Sequence, residues 1–110
     1  MLSQLQGRPG LVVAVSQYEH RLCDTVEQFK AIVQLVDGTR LHISEVWVGG
    51  ELRKNAYFQV APDGQIIRGW DNAPHHPEID TYPHHLHMSK GIHPSAVRAL
   101  VDVLDILAEL

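Results

Sequence analysis

From Gly10 to Asp71 the sequence alternates apolar and polar residues in short runs, interrupted by three tight-turn signals: Asp37-Gly38, Gly49-Gly50 and Pro62-Asp63-Gly64. Such pairs supply the left-handed backbone that a two-residue hairpin loop requires. The runs read "GLVVAVSQYEHRL", "VEQFKAIVQLV", "TRLHISEVWV", "LRKNAYFQVA" and "QIIRGW". Phe29, Ala31, Val33 and Leu35 alternate with more polar neighbours, as do Leu41, Ile43 and Trp47, and Ala56, Phe58 and Val60. Period two places each set on one face of a sheet. The pattern predicts an antiparallel meander of about five strands over residues 10–71, apolar on one face and polar on the other.

Past Pro94 the period changes. "SAVRALVDVLDILAEL" sets Val97, Leu100, Val101, Leu104, Leu107 and Ala108 on one stripe at helical spacing. Ser95 is the expected N-cap of a helix over residues 95–110 that packs on the apolar face of the meander. Residues 72–94 then form a histidine-rich loop, and the first nine residues a short helix before Pro9. The expected fold is a single α+β domain over residues 1–110: a curled antiparallel β-meander with a C-terminal amphipathic helix packed on it. At 110 residues and 45% hydrophobic, the chain can bury one modest core without cross-links.

Composition narrows the function. The longest apolar run, "LVVAV", is far short of the roughly 20 residues of a membrane span. "MLSQLQGRPG" lacks the basic and apolar regions of a secretory leader. Cys23 is the only cysteine, so no internal disulfide and no cysteine-rich zinc motif can be written, and a reducing cytoplasm is the expected compartment. It reads as an ordinary thiol near a strand end. A net charge of −4 argues against coating nucleic acid by bulk electrostatics, though not against gripping one phosphate in a local cationic pocket.

The chemistry concentrates in "WDNAPHHPEIDTYPHHLH", Trp70 to His87, which holds five of the eight histidines. In an extended chain His85 and His87 point to one side and His84 to the other. Two chemistries fit. In the first, two imidazoles and a further His or Asp hold a divalent metal, with His85, His87 and His75 as ligands. In the second, the histidines cleave the phosphodiester of RNA without metal or other cofactor. His85 and His87 then act as base and acid as the 2′-hydroxyl attacks, and Asp71 or Asn72 fixes an imidazole tautomer. His84 and His76 are further candidates, and Arg68 or Lys90 would hold the phosphate. Trp70 is a substrate-contacting candidate, although a tryptophan at a strand end most often belongs to a core. A third reading is a non-enzymatic protein whose loop binds a partner.

The double motif "WDNAPHHPE" and "YPHHLH" resembles the TumE-type toxins of prokaryotic toxin–antitoxin systems, as do a mid-chain "DG" hairpin, a "DG" turn before the motif and a leucine-rich terminal helix. Leu86 stands where the family commonly has lysine, and Gly69 where it commonly has arginine, and both changes remove positive charge from the proposed site. The resemblance implies a growth-inhibiting toxin neutralised by a cognate antitoxin, usually a small DNA-binding protein. By analogy it implies a metal-independent endoribonuclease acting on RNA, with no membrane association and with a homodimer left open.

Overall fold

The computed structural model describes residues 1–110. After a short helix α1 (Leu2–Gln6) come seven strands: β1 (Val12–Cys23), β2 (Val26–Leu35), β3 (Arg40–Val48), β4 (Glu51–Val60), β5 (Ile66–Asp71), β6 (His85–Met88) and β7 (Gly91–Pro94). Helix α2 (Leu100–Ala108) closes the chain. The strands form one open antiparallel sheet in sequence order. The three expected hairpin turns are present, with Gly38, Gly49, Gly50 and Gly64 all at positive φ. The β1–β2 turn carries no glycine. Asp24 takes the left-handed conformation there, at φ 54°, which a short polar side chain tolerates.

Both helices lie on one face of the sheet. Ala31, Val33 and Leu35 of β2, Leu41 and Ile43 of β3, Tyr57 of β4 and Trp70 of β5 meet Leu5 of α1 and Leu100, Val103, Leu104 and Leu107 of α2 in one core. Each fully buried leucine contributes about 1.5–3 kcal/mol. Glu45 is buried on this face as well, where it accepts hydrogen bonds from the Tyr57 hydroxyl (2.6 Å) and the Trp47 indole N–H (3.1 Å).

The sheet has seven strands where five were expected, because β6 and β7 form a hairpin inside the segment read as a loop. The missed signal is local: His85-Leu86-His87-Met88 alternates, and Gly91 follows at φ 106°. The helix begins at Leu100 rather than Ser95. Ser95 instead caps a turn by accepting the Val97 N–H, and Asp102 reaches back to accept the N–H groups of Arg98 and Ala99 at the helix start. Val103 replaces Val101 on the buried stripe, and Val101 and Ala108 are exposed. On β4 the core residues are Asn55, Tyr57 and Gln59, so Ala56 and Phe58 face away from the helices. Tyrosine buries as readily as phenylalanine once its hydroxyl has a partner, here Glu45.

Candidate functional site

Alternation along β4, β5 and β6 builds a site on the sheet face opposite the helices. Asp71 ends β5 opposite Ala56 of β4. The segment 72–84 then turns back through successive backbone hydrogen bonds, from His75 to Ala73, Ile79 to His76, Tyr82 to Ile79 and His84 to Thr81. The Thr81 hydroxyl donates to the His84 carbonyl and accepts the Ser95 N–H, which ties the segment to the entrance of α2. The returning strand pairs His85 with Asp71 and His87 with Gly69. Cross-strand partners share a face, so Asp71, His85 and His87 stand together beside Ala56 and Phe58.

The three groups converge tightly. His85 Nε2 is 2.9 Å from Asp71 Oδ1, His87 Nε2 is 3.0 Å from Asp71 Oδ2, and the two Nε2 atoms are 2.9 Å apart. His85 Nδ1 is 2.9 Å from the Pro83 carbonyl oxygen. That oxygen can only accept, so Nδ1 carries the proton and Nε2 is turned into the cluster. Asp71 Oδ1 also accepts the Ala73 N–H. The His85 side chain is 2% exposed and that of His87 33%, so His87 is the imidazole that meets solvent. Phe58 packs near it, ring centroids 5.9 Å apart. The His76 ring stands at the rim, 5.0 Å from that of His85 and 6.3 Å from that of His87, with Nδ1 3.3 Å from Glu78.

The remaining candidates lie elsewhere or serve the backbone. Both ends of the Asn72 amide bind β4: its oxygen accepts the Asn55 N–H and its nitrogen donates to the Arg53 carbonyl. Asn72 therefore orients no imidazole. The Pro83 carbonyl does so instead, a role that no side-chain pattern announces. His84 is outside the cluster, with its Nδ1 buried and unpartnered. Burial, then the charges of Arg98 and His85, hold its pKa below the usual histidine range. Trp70 is a core residue on the helix face, 3% exposed, on the opposite side of the sheet from the cluster. Arg68 shares that face. It pairs with Gln59, and its charge helps to lower the Asp37 pKa, after the larger effect of the Thr39 hydrogen bonds. Lys90 is exposed in the β6–β7 turn. His75 is exposed and is not the third member of the cluster; Asp71 is.

The cations near the cluster are ones that the sequence did not single out. A cavity of about 690 Å³ beside Asp71 is lined by Ser44, Arg53, Lys54, His75 and Tyr82, among others. Arg53 is paired with Glu51 at 2.9 Å, which leaves Lys54 as the unpaired cation. Of the two departures from the family pattern, Leu86 pairs with Trp70 and packs against the core, so a lysine there would not face the cluster. Position 69 does face it. A second trough of about 320 Å³ runs along the same sheet face between Glu19, Lys30, His42 and Phe58.

No helix is long and apolar enough to cross a membrane. A family model described as Toxin TumE matches residues 8–110. No curated protein and no solved structure matches the chain.

Proposed function

The chain belongs to the TumE toxin family, and from that membership we propose that it is the toxin of a toxin–antitoxin pair and cleaves RNA at the Asp71–His85–His87 cluster. The observation that carries the reading is the convergence of two imidazoles and a carboxylate within 3.0 Å of one another on an open sheet face. Cleavage by the 2′-hydroxyl needs a group to take its proton, a group to protonate the leaving oxygen and a cation for the phosphorane. His87, solvent-facing and held by Asp71, suits the proton-accepting role. His85, its other nitrogen tied to the Pro83 carbonyl, suits the donor role. Lys54, at the wall of the cavity beside Asp71, suits the phosphate better than Arg68 or Lys90. A second reading, in which the same three groups hold a divalent cation that activates the phosphate, is favoured by the mutual approach of their lone pairs.

The test is expression of the full chain, His87→Ala and Asp71→Asn in bacteria without the antitoxin, with growth and RNA integrity followed together. The wild type is expected to arrest growth as RNA fragments appear. Both variants are expected to lose roughly 10²–10⁴-fold in cleavage rate, the usual cost of removing an acid/base group. Arrest with RNA intact would retire the cleavage reading and leave the family assignment in place.

A further inference from the structure

The geometry points to a divalent metal site formed by Asp71, His85 and His87, and we propose that it binds a six-coordinate first-row transition ion. The chemical use of the ion rests on the second RNA-cleavage reading, in which His85 and His87 are ligands rather than acid and base; its binding does not.

Counting protons carries the first half of the inference. The Pro83 carbonyl claims the Nδ1 proton of His85, so the Nε2 of His85 brings either a lone pair or one further proton into the cluster. Three contacts of 2.9–3.0 Å must then be satisfied: His85 to Asp71, His87 to Asp71, and His85 to His87. With no proton on either Nε2, all three set lone pairs against one another. With one proton, the imidazole without it turns a bare lone pair on the carboxylate. With a proton on both, each can donate to Asp71, but two N–H groups then meet at 2.9 Å. With Asp71 ionised, no arrangement of protons on the two imidazoles satisfies all three contacts. A single cation accepts the lone pairs of all three groups at once. Isolated buried groups rarely tolerate such a mismatch, and His85 is 2% exposed.

Spacing carries the second half. Metal bonds to imidazole nitrogen and carboxylate oxygen are about 2.1 Å long. Two such ligands at right angles stand about 3.0 Å apart, and at the tetrahedral angle about 3.4 Å. The observed 2.9 Å between the two imidazole nitrogens fits the right-angled case, and the carboxylate meets them through both oxygens, Oδ1 2.9 Å from His85 and Oδ2 3.0 Å from His87, as a bidentate ligand would. Two histidines and one bidentate carboxylate suit a six-coordinate ion such as Mn²⁺, Fe²⁺ or Ni²⁺ over four-coordinate Zn²⁺ and leave two positions for water or substrate. The outer contacts agree. The Pro83 carbonyl holds the far nitrogen of His85, and the Ala73 N–H binds Asp71, as partners of metal ligands commonly do. His87 marks the solvent side on which the free positions would open. A bound ion would polarise the phosphoryl oxygen and acidify a coordinated water.

The test uses the full chain with any affinity tag removed, stripped with EDTA, dialysed, and titrated calorimetrically with MnCl₂ and NiCl₂, with Mn²⁺ followed by electron paramagnetic resonance. One ion per chain is expected to bind. Asp71→Ala and His87→Ala, checked for native circular dichroism, should weaken it by more than the roughly 10–100-fold that loss of an outer partner costs. His93→Ala and His20→Ala control for binding by exposed histidines and should bind as the wild type does. Absence of saturable binding, or equal weakening in the control variants, overturns the site. Cleavage of RNA by stripped protein in EDTA at the rate of metal-loaded protein overturns the ion's part in cleavage and leaves the cleavage reading intact. Metal bound one to one with RNA untouched supports the site and retires the cleavage reading.

Discussion

The ring of Phe58 fills the space over Gly69 in which any other residue would carry its Cβ. A Cβ built there would stand 2.1 Å from Phe58 Cδ1 and 2.2 Å from Cε1. The two residues pair across β4 and β5, and Gly69 also pairs with His87 on β6. A strand glycine weakens its sheet unless something packs against it. Here an aromatic ring does, and the same ring flanks the solvent-facing imidazole of the cluster.

Gly69→Ala is therefore expected to destabilise the protein by about 1–3 kcal/mol, the usual cost of overpacking, and to weaken whatever His87 does. Phe58→Ala should relieve the clash, so that in urea denaturation the double variant loses less than the sum of the singles. Strict additivity would show that the ring moves away without cost.

Tyr57→Phe should cost about 1.5–3 kcal/mol, the range for a hydrogen bond to a charged group. The hydroxyl is fully buried and donates to Glu45, which is itself 5% exposed. Burial, and then Glu45, raise the Tyr57 pKa, so the phenol stays a donor at any ordinary pH. A variant within 0.5 kcal/mol of wild type, as an order-of-magnitude margin, would place the Glu45 carboxylate in a better-hydrated setting than its burial indicates.

His42 makes stability depend on pH. Burial, then the charge of Arg40, lower its pKa from 6.5, and its buried Nε2 has no partner. Across the sheet face it has Phe58 and Ile32 as strand partners, with Glu19 and Lys30 in the same trough. In the unfolded chain this imidazole takes up a proton near its ordinary pKa, which the folded chain accepts only at lower pH. Its contribution is complete above about pH 6.5 and is lost as pH falls through that value toward the folded pKa. Melting temperatures measured from about pH 7 to 5 should fall less steeply for His42→Gln than for wild type. Parallel slopes would mean that the folded chain takes up the His42 proton as readily as the unfolded chain does.

Lys54→Ala should weaken RNA binding by about tenfold or more, the scale of one charge-assisted hydrogen bond of about 1.5–3 kcal/mol. Arg68→Ala should leave binding unchanged, because Arg68 lies on the helix face. Fluorescence anisotropy with a short single-stranded RNA reads both. An Arg68 effect equal to that of Lys54 would move the phosphate site away from the cavity beside Asp71.

Asp102→Ala should cost about 1 kcal/mol, the typical value of a helix cap. The carboxylate accepts two N–H groups at the start of α2, from Arg98 at 2.8 Å and Ala99 at 3.1 Å, and its charge suits the positive end of the helix. Thermal melts of Asp102→Asn separate the hydrogen bonds from the charge.

The sequence by itself determined the elements whose signals are local. Period two and the turns at Gly38, Gly49 and Gly64 defined the meander, and period 3.6 after Pro94 defined the helix. The density of histidine marked the segment that carries the cluster, and the His-x-His spacing put His85 and His87 on one side. Tertiary structure decided the rest, because it depends on partners far apart in the chain. The faces of β4 reversed because Tyr57 finds Glu45 across the sheet, which sends Ala56 and Phe58 to the side of the cluster. Strand pairing chose Asp71 over His75 as the third group, because Asp71 lies directly opposite His85. It also sent Arg68, Trp70 and Leu86 to the helix face and brought Lys54 beside the cavity. A spacing rule can place two residues of one strand on a common face, but the register between strands places the third, and pairing and core packing set that register together.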